Sequence, residues 1–232
     1  EGEVQKLSDF FRNAKAYLAG DRKEVNLPFE AMEKVFSGDK KLYFHANAEK
    51  EIVDLLAFRK KHSLKNVVLV GGYDAYKVAD QLKENNIPVL VGRVHETPHL
   101  EDQDYDLPYK MARILNDKGV LVGLDTSGDM ERMNTRNLPF YAGTVVAFGA
   151  DKEDALKMIT SNTAKILGID DRMGTLEVGK DATLFISEGD ALDMRTNKLT
   201  KAFIQGRDIS LESHQTKLAK RYSDKYEAQG GN

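Results

Sequence analysis

Two residues of this 232-residue chain stand where strand ends could do chemistry. His45 follows the apolar run Leu42-Tyr43-Phe44, and Asp125 closes VLVGLD, residues 120–125. Imidazole and carboxylate are common ligands of zinc, manganese or iron, and a carboxylate beside a metal-bound water can act as its general base. The same residue types also do plainer work: a histidine satisfied by a neighbour, a carboxylate capping a loop or a helix. His95 and His99 lie in GRVHETPHLEDQD at a spacing that would suit a helix. Pro98 between them reads as loop, which puts substrate contact or plain exposure ahead of metal binding. Arg136, in the polar stretch after Asp125, has a guanidinium that could hold a substrate carboxylate. His62 in FRKKHSLK and His214 in the tail read as solvated.

Other chemistries have less support. No serine sits in a GxSxG setting, so a serine hydrolase triad is not indicated. Cysteine is absent, which removes disulfides, thiolate nucleophiles and thiolate metal sites together. The stretch VVLVGGYDAYKVADQL, residues 67–82, has the outline of a strand breaking on glycines into a helix. It lacks the third glycine of a dinucleotide fingerprint and the Lys-Ser or Lys-Thr of a phosphate loop, and Asp74 would set negative charge near any phosphate. With 37 acidic against 34 basic side chains, there is no electrostatic case for nucleic acid or an anionic membrane. No apolar run approaches the roughly 20 residues that span a bilayer, and the opening EGEVQKLSDFF has no signal-peptide pattern. It also lacks an initiating Met, so an upstream portion is expected, and the compartment stays open between cytoplasm and periplasm or exterior.

The elements that must position these residues follow from periodicity. Leu7, Phe10, Phe11, Ala14 and Leu18 fall on one helical face, and a second helix fits Phe29 to Phe36 after Pro28. Then short apolar runs alternate with amphipathic stretches: LYFHA (42–46), NVVLVGG (66–72), IPVLVG (87–92) and VLVGLD (120–125), with helical patterns between them. This alternation predicts βαβ units and a parallel sheet, which places His45 and Asp125 at C-terminal strand ends, where such sheets and barrels gather active residues. DKEDALKMIT and SNTAKILGI read as helices capped by Asp151 and Ser161. From Gly174 the texture turns to β-like runs, TLEVG, DATLFIS and KAFIQG, joined by glycine turns and suggesting a small antiparallel layer. Leu211, Leu218, Tyr222 and Tyr226 mark a tail helix.

Residues 135–186, TRNLPFYAGTVVAFGADKEDALKMITSNTAKILGIDDRMGTLEVGKDATLFI, closely resemble the C-terminal part of the amidohydrolase superfamily, above all imidazolonepropionase-like members. The family succession is present: a TxNxAKxLG cap, GxLExGKDADL with Thr183 in place of the usual Asp, and a closing strand, here KAFIQGRDI. The resemblance extends upstream, with LYFHA, NVVLVGG, IPVLVG and VLVGLD similar to strands five to eight of the family's (β/α)8 barrel.

The resemblance implies an α/β fold: the C-terminal half of a TIM-type barrel over residues 1–168, a β-sandwich contribution over 169–210, and a C-terminal helix and tail over 211–232. It implies metal ligation by His45 and Asp125, with Asp125 also the catalytic proton acceptor. His95 and Arg136 are then the candidate substrate contacts. Family members hydrolyse C–N bonds of amides, cyclic amides or dipeptides with a metal-activated water, so a small-molecule substrate and a divalent metal, zinc first, are expected of the complete protein. Two departures weigh against a centre in this chain alone. The sixth-strand histidine is replaced by Val70-Gly71-Gly72, and neither the first-strand HisXHis pair nor the fourth-strand Lys or Glu has a counterpart. Two ligands fall short of the three that zinc sites normally use. An N-terminal half, in the same polypeptide or another chain, is the expected partner, and the alternative is a non-catalytic module kept for binding or assembly.

Overall fold

The computed structural model describes residues 2–128 and 131–228. Helix α1 (Gly2–Ala19) is followed by two short helices, α2 (Leu27–Glu30) and α3 (Glu33–Ser37). The expected single helix from Phe29 to Phe36 is thus broken at Ala31-Met32. Asn26 caps the first piece by accepting from Phe29 N at 3.2 Å, and the break lets Phe29 pack on Phe10 and Tyr17 while Phe36 packs on Phe11.

The repeating units follow. Strand β1 (Leu42–Ala46) leads to α4 (Glu49–His62), β2 (Val67–Gly71) to a 3-10 turn and α5 (Ala79–Glu84), and β3 (Val89–Val91) to α6 (Leu107–Asp117). Strand β4 (Val122–Leu124) leads through α7 (Glu131–Asn134) and a 3-10 turn to α8 (Leu138–Ala147), α9 (Lys152–Met158) and α10 (Ser161–Leu167). The four strands form one sheet in the order β1-β2-β3-β4, every pair parallel. An unbroken sequential order with a helical crossover at each step is the arrangement of a barrel sector, whereas a doubly wound sheet reverses its order partway.

Both faces of this sheet are apolar, as parallel sheets require. Val67, Leu69, Val89, Val91, Val122 and Leu124 point to the helices, where Ile52, Leu55 and Phe58 of α4, Leu82 of α5 and Met111 and Leu115 of α6 join them in one large core. Val68, Val70 and Leu90 point the other way and meet Ile166 of α10. That helix is fastened to the N-terminal end of the sheet. Lys41 Nζ donates to the Lys165 and Ile166 carbonyls at 2.7 and 2.8 Å, Tyr43 OH to the Ile166 carbonyl at 3.2 Å, and Asn162 Nδ2 to the Val122 carbonyl at 3.1 Å. Gly123 is required beneath it: an added Cβ would lie 2.7 Å from Thr163 Oγ1 and 2.9 Å from Leu90 Cδ2.

The C-terminal layer is a three-stranded antiparallel sheet of β5 (Leu184–Ser187), β6 (Leu199–Ile204) and β7 (Arg207–Ile209). TLEVG, expected as a strand, is turn and irregular backbone instead. A strand exists only by pairing, and among the described residues none pairs with 175–179; Leu176 and Val178 are left exposed. Asp151 caps α9 as expected, accepting from Glu153 N and Asp154 N. Ser161 is instead the first residue of α10, and the cap position falls to Thr160 with no side-chain bond, because Thr160 Oγ1 turns back to the Leu156 carbonyl. The tail helix α11 (His214–Ala228) begins after Leu211 and buries none of its residues. No helix among the described residues is long and apolar enough to cross a membrane.

Candidate functional site at the C-terminal strand ends

The inner face of the sheet can be followed from strand to strand by register. His45 pairs with Val70, Val70 with Leu90, and Leu90 with Gly123. Tyr43, two residues before His45, reaches α10 across the inner face, so by the two-residue period of a strand His45 shares that face. Asp125 stands two residues beyond Gly123 on the same face, and its N–H donates to the Val91 carbonyl at 2.8 Å, extending the ladder by one step. The structure therefore places both residues at the C-terminal end of the inner face, as expected.

Along the sheet they stand three strand steps apart. His45 lies on one edge strand and Asp125 directly follows the other, with β2 and β3 between them. The intervening inner positions are Val70, Leu90 and Gly92, which carry no donor. Among the described residues, no three of His, Cys, Asp and Glu are grouped so as to hold a metal ion. Asp125 is moreover engaged locally. Ser127 N donates to Oδ1 at 3.0 Å and Ser127 Oγ donates to Oδ2, so this carboxylate fixes the turn that leaves β4. The donors among the described residues do not fit a zinc site, which takes at least three protein ligands.

The loops around these strand ends are tied together. Glu51 Oε2 accepts from the N–H groups of Asn47 and Ala48 at 2.8 and 3.2 Å, which starts α4 directly after His45 and holds the Glu51 carboxyl below its ordinary range. Gly71 and Gly72 have φ of +94° and +70°, conformations that glycine adopts freely. Their turn delivers Asp74 to its neighbours: it accepts from Glu49 N and Gln103 Nε2, each at 3.2 Å, and pairs with Lys77 at 3.2 Å. A carboxylate bonded in this way stands where a phosphate cradle would need to be open, so the glycine pair serves loop geometry. Tyr73, the next residue after the glycines, stacks on His99 with ring centroids 3.8 Å apart, and Gln103 Oε1 accepts from His99 N and Leu100 N. Together these contacts hold the long loop after β3 across the end of β2.

That loop also separates His95 from His99. His95 Nε2 hydrogen-bonds Thr144 Oγ1 on α8 at 2.7 Å, and its ring meets Tyr141 edge-on at 4.6 Å. Burial first, and then the Arg93 charge, hold its pKa below the ordinary histidine value. His99 faces Tyr73 and lies 3.6 Å from Glu96. The segment is not helical, as Pro98 indicated. Arg136 sits exposed in the 3-10 turn Thr135–Asn137. His62, read from its charged neighbours as solvated, is buried between α1 and α4; the lysines beside it turn outward while the ring turns in. The clamp of Tyr73, Asp74 and Gln103 was not singled out in the sequence, where the only signal was an aromatic directly after a glycine pair.

A sequential parallel sheet with candidate ligands at its C-terminal ends points to a barrel hydrolase lineage, and a family model decides it: the amidohydrolase family model matches residues 19–210. The chain belongs to the amidohydrolase family. Among solved structures, this family member is similar to an amidohydrolase from Thermotoga maritima, with 28% identity and a TM-score of 0.78 over 89% of this chain and 55% of that one. A Xaa-Pro dipeptidase with methionine bound in its active site shares the fold at a TM-score of 0.58 and 16% identity, over 79% of this chain and 47% of that one. A curated relative, imidazolonepropionase from Thermoplasma volcanium, is 32% identical over 120 residues, which are 49% of this chain and 29% of that protein. The amidohydrolase-family chain thus spans about half the length of these solved relatives and aligns with under a third of the curated one.

Proposed function

We propose that this chain is a non-catalytic amidohydrolase-type module, formed by strands five to eight of the family barrel and retained for binding or assembly. The observation that carries the reading is the row Val70, Leu90 and Gly92 between His45 and Asp125: the inner face offers apolar groups and bare backbone where a metal centre needs donors. On this reading residues 1–168 are the barrel portion, 169–210 the contribution to a β-sandwich, and 211–232 the C-terminal helix and tail. A small molecule at the strand ends would meet the Tyr73–His99 pair, with His95 and Arg136 as further contacts.

A second reading rests on the common placement of His45 and Asp125 at the C-terminal ends of the inner face. Joined to an N-terminal half that supplies histidines and a bridging Lys or Glu, the two would complete a zinc site in an imidazolonepropionase-like hydrolase of amides, cyclic amides or dipeptides, with Asp125 as proton acceptor. Metal analysis of the intact protein separates the two. The module reading expects well under one equivalent of divalent metal, unchanged by His45→Ala. A full equivalent that His45→Ala removes would overturn it and establish the hydrolase reading.

A further inference from the structure

Helix α1 is fastened to α4 by a buried polar pair set among aromatic contacts. Ser8 Oγ and His62 Nε2 are 2.9 Å apart, and both residues are buried, with 4% and 5% of their surface exposed. Phe58 stands 4.5 Å and Phe11 5.3 Å from the imidazole, ring centre to ring centre, and Phe11 itself packs on Phe36 of α3. Lys15 of α1 donates to the His62 carbonyl at 2.6 Å, which caps the end of α4 with a positive charge. Phe11 also packs on Phe58, and Phe10 and Tyr17 pack on Phe29 of α2; the buried residues of α1 are Ser8, Phe11 and Ala14. Two of those three touch or border the same imidazole.

We infer that the Ser8–His62 contact is an acid-sensitive latch, holding α1 on α4 while the imidazole is neutral and releasing it when the imidazole is protonated. A neutral ring satisfies Ser8 in either tautomer and packs against the tilted Phe58 ring and edge-on against Phe11. A protonated ring can still donate to Ser8 Oγ, so the penalty lies elsewhere: a full positive charge must be kept in an aromatic pocket away from water. The charges acting on the ring are Lys15 from α1 and Lys61 on α4 itself, both of its own sign; α3 contributes the Phe36 ring to this corner. The Asp9–Arg12 pair of α1 is turned to solvent. The C-terminal dipole of α4 favours the cation, yet burial and the two lysines outweigh it and hold the His62 pKa below the ordinary histidine value.

The direction of the pH effect follows. An undocked histidine titrates near pH 6.5, so between that value and the lower docked one the released state binds more protons, and docking weakens as pH falls. Above pH 6.5 the contact is at full strength. Hydrogen exchange on the intact protein at pH 7.5 and 5.0, corrected for intrinsic rates, tests this. Amides of α1 should lose protection several-fold at pH 5.0, up to about tenfold for each unit by which the docked pKa is depressed, while those of α5 and α6 hold steady. His62→Phe keeps an aromatic ring and His62→Gln keeps a partner for Ser8; in both, α1 protection should become independent of pH over this range. Protection of α1 that is equal at the two pH values in the unmodified protein, or pH-dependent loss that persists in both variants, would overturn the latch. So would a His62 ring resonance titrating at or above pH 6.5.

Discussion

Strands β1 and β2 are neighbours of equal length, paired residue for residue from Leu42–Val67 to Ala46–Gly71, yet they are built differently. Every valine and leucine of β2 is buried, whereas β1 exposes Tyr43 and His45 and buries only Ala46. The difference is positional. β2 has a hydrogen-bonded strand on each side, while β1 is an edge strand with an unpaired flank. The two central strands are apolar throughout, and the candidate ligands occur at the sheet's edges: His45 on one and Asp125 at the other. The centre of the sheet is built for packing, and its rims carry the polar side chains.

The largest expected consequence of this contrast is in β2. Leu69 is fully buried in the helix-facing core, between Val67 and Gly71 in the most enclosed strand. Leu69→Ala should destabilise the protein by about 3 kcal/mol, within the usual 2–5 kcal/mol for a buried leucine whose site cannot collapse. Urea titration at constant m-value would measure it. A loss below about 1 kcal/mol would show that β2 is not the enclosed centre of the sheet.

The second expectation concerns Val70, the register partner of His45 on the inner face. Laterally paired strand positions hold their Cβ atoms near 5 Å apart, so Val70→His would set a second imidazole beside the first. The variant should lose about 1–3 kcal/mol, because Val70 is buried and the new ring needs a polar partner. It should also bind zinc at least tenfold more tightly than the parent, and adding His45→Ala should abolish that gain. Equilibrium dialysis against zinc reads both. An intact variant with unchanged zinc affinity would mean that Val70 does not occupy the missing ligand position.

Much of this contrast was legible in the sequence because it is written in local pattern. The alternation of apolar runs and amphipathic stretches identified all four parallel strands, and TxNxAKxLG, read at residues 160–168, marked a helix whose role in plugging the N-terminal end of the inner face depends on Lys41 and Tyr43, more than 120 residues earlier. That long-range fastening left no local signal. The failures were of the same kind. TLEVG has strand composition but no partner, and pairing is a tertiary fact. His62 sits among lysines and reads as surface until α1, more than 50 residues upstream, is seen to cover it. The positions of His45 and Asp125 were legible from strand ends; that two inner-face strands lacking donors separate them follows only from strand order.

The smallest effect is expected at His45 itself. The side chain is exposed on an edge strand, its neighbours Phe44 and Ala46 carry the packing, and a surface substitution away from caps, cores and strained backbone changes stability by no more than about 0.5 kcal/mol. For a chain of this size that is a shift in Tm of no more than about 2 °C. Thermal unfolding of His45→Ala with and without added zinc therefore discriminates sharply. A small shift that zinc does not alter fits an edge residue with no metal to hold. A larger loss of stability, or a zinc-dependent difference between the variant and the parent, would mean that His45 is already part of an assembled site, and that the open edge of the sheet is closed in the intact protein by donors from elsewhere.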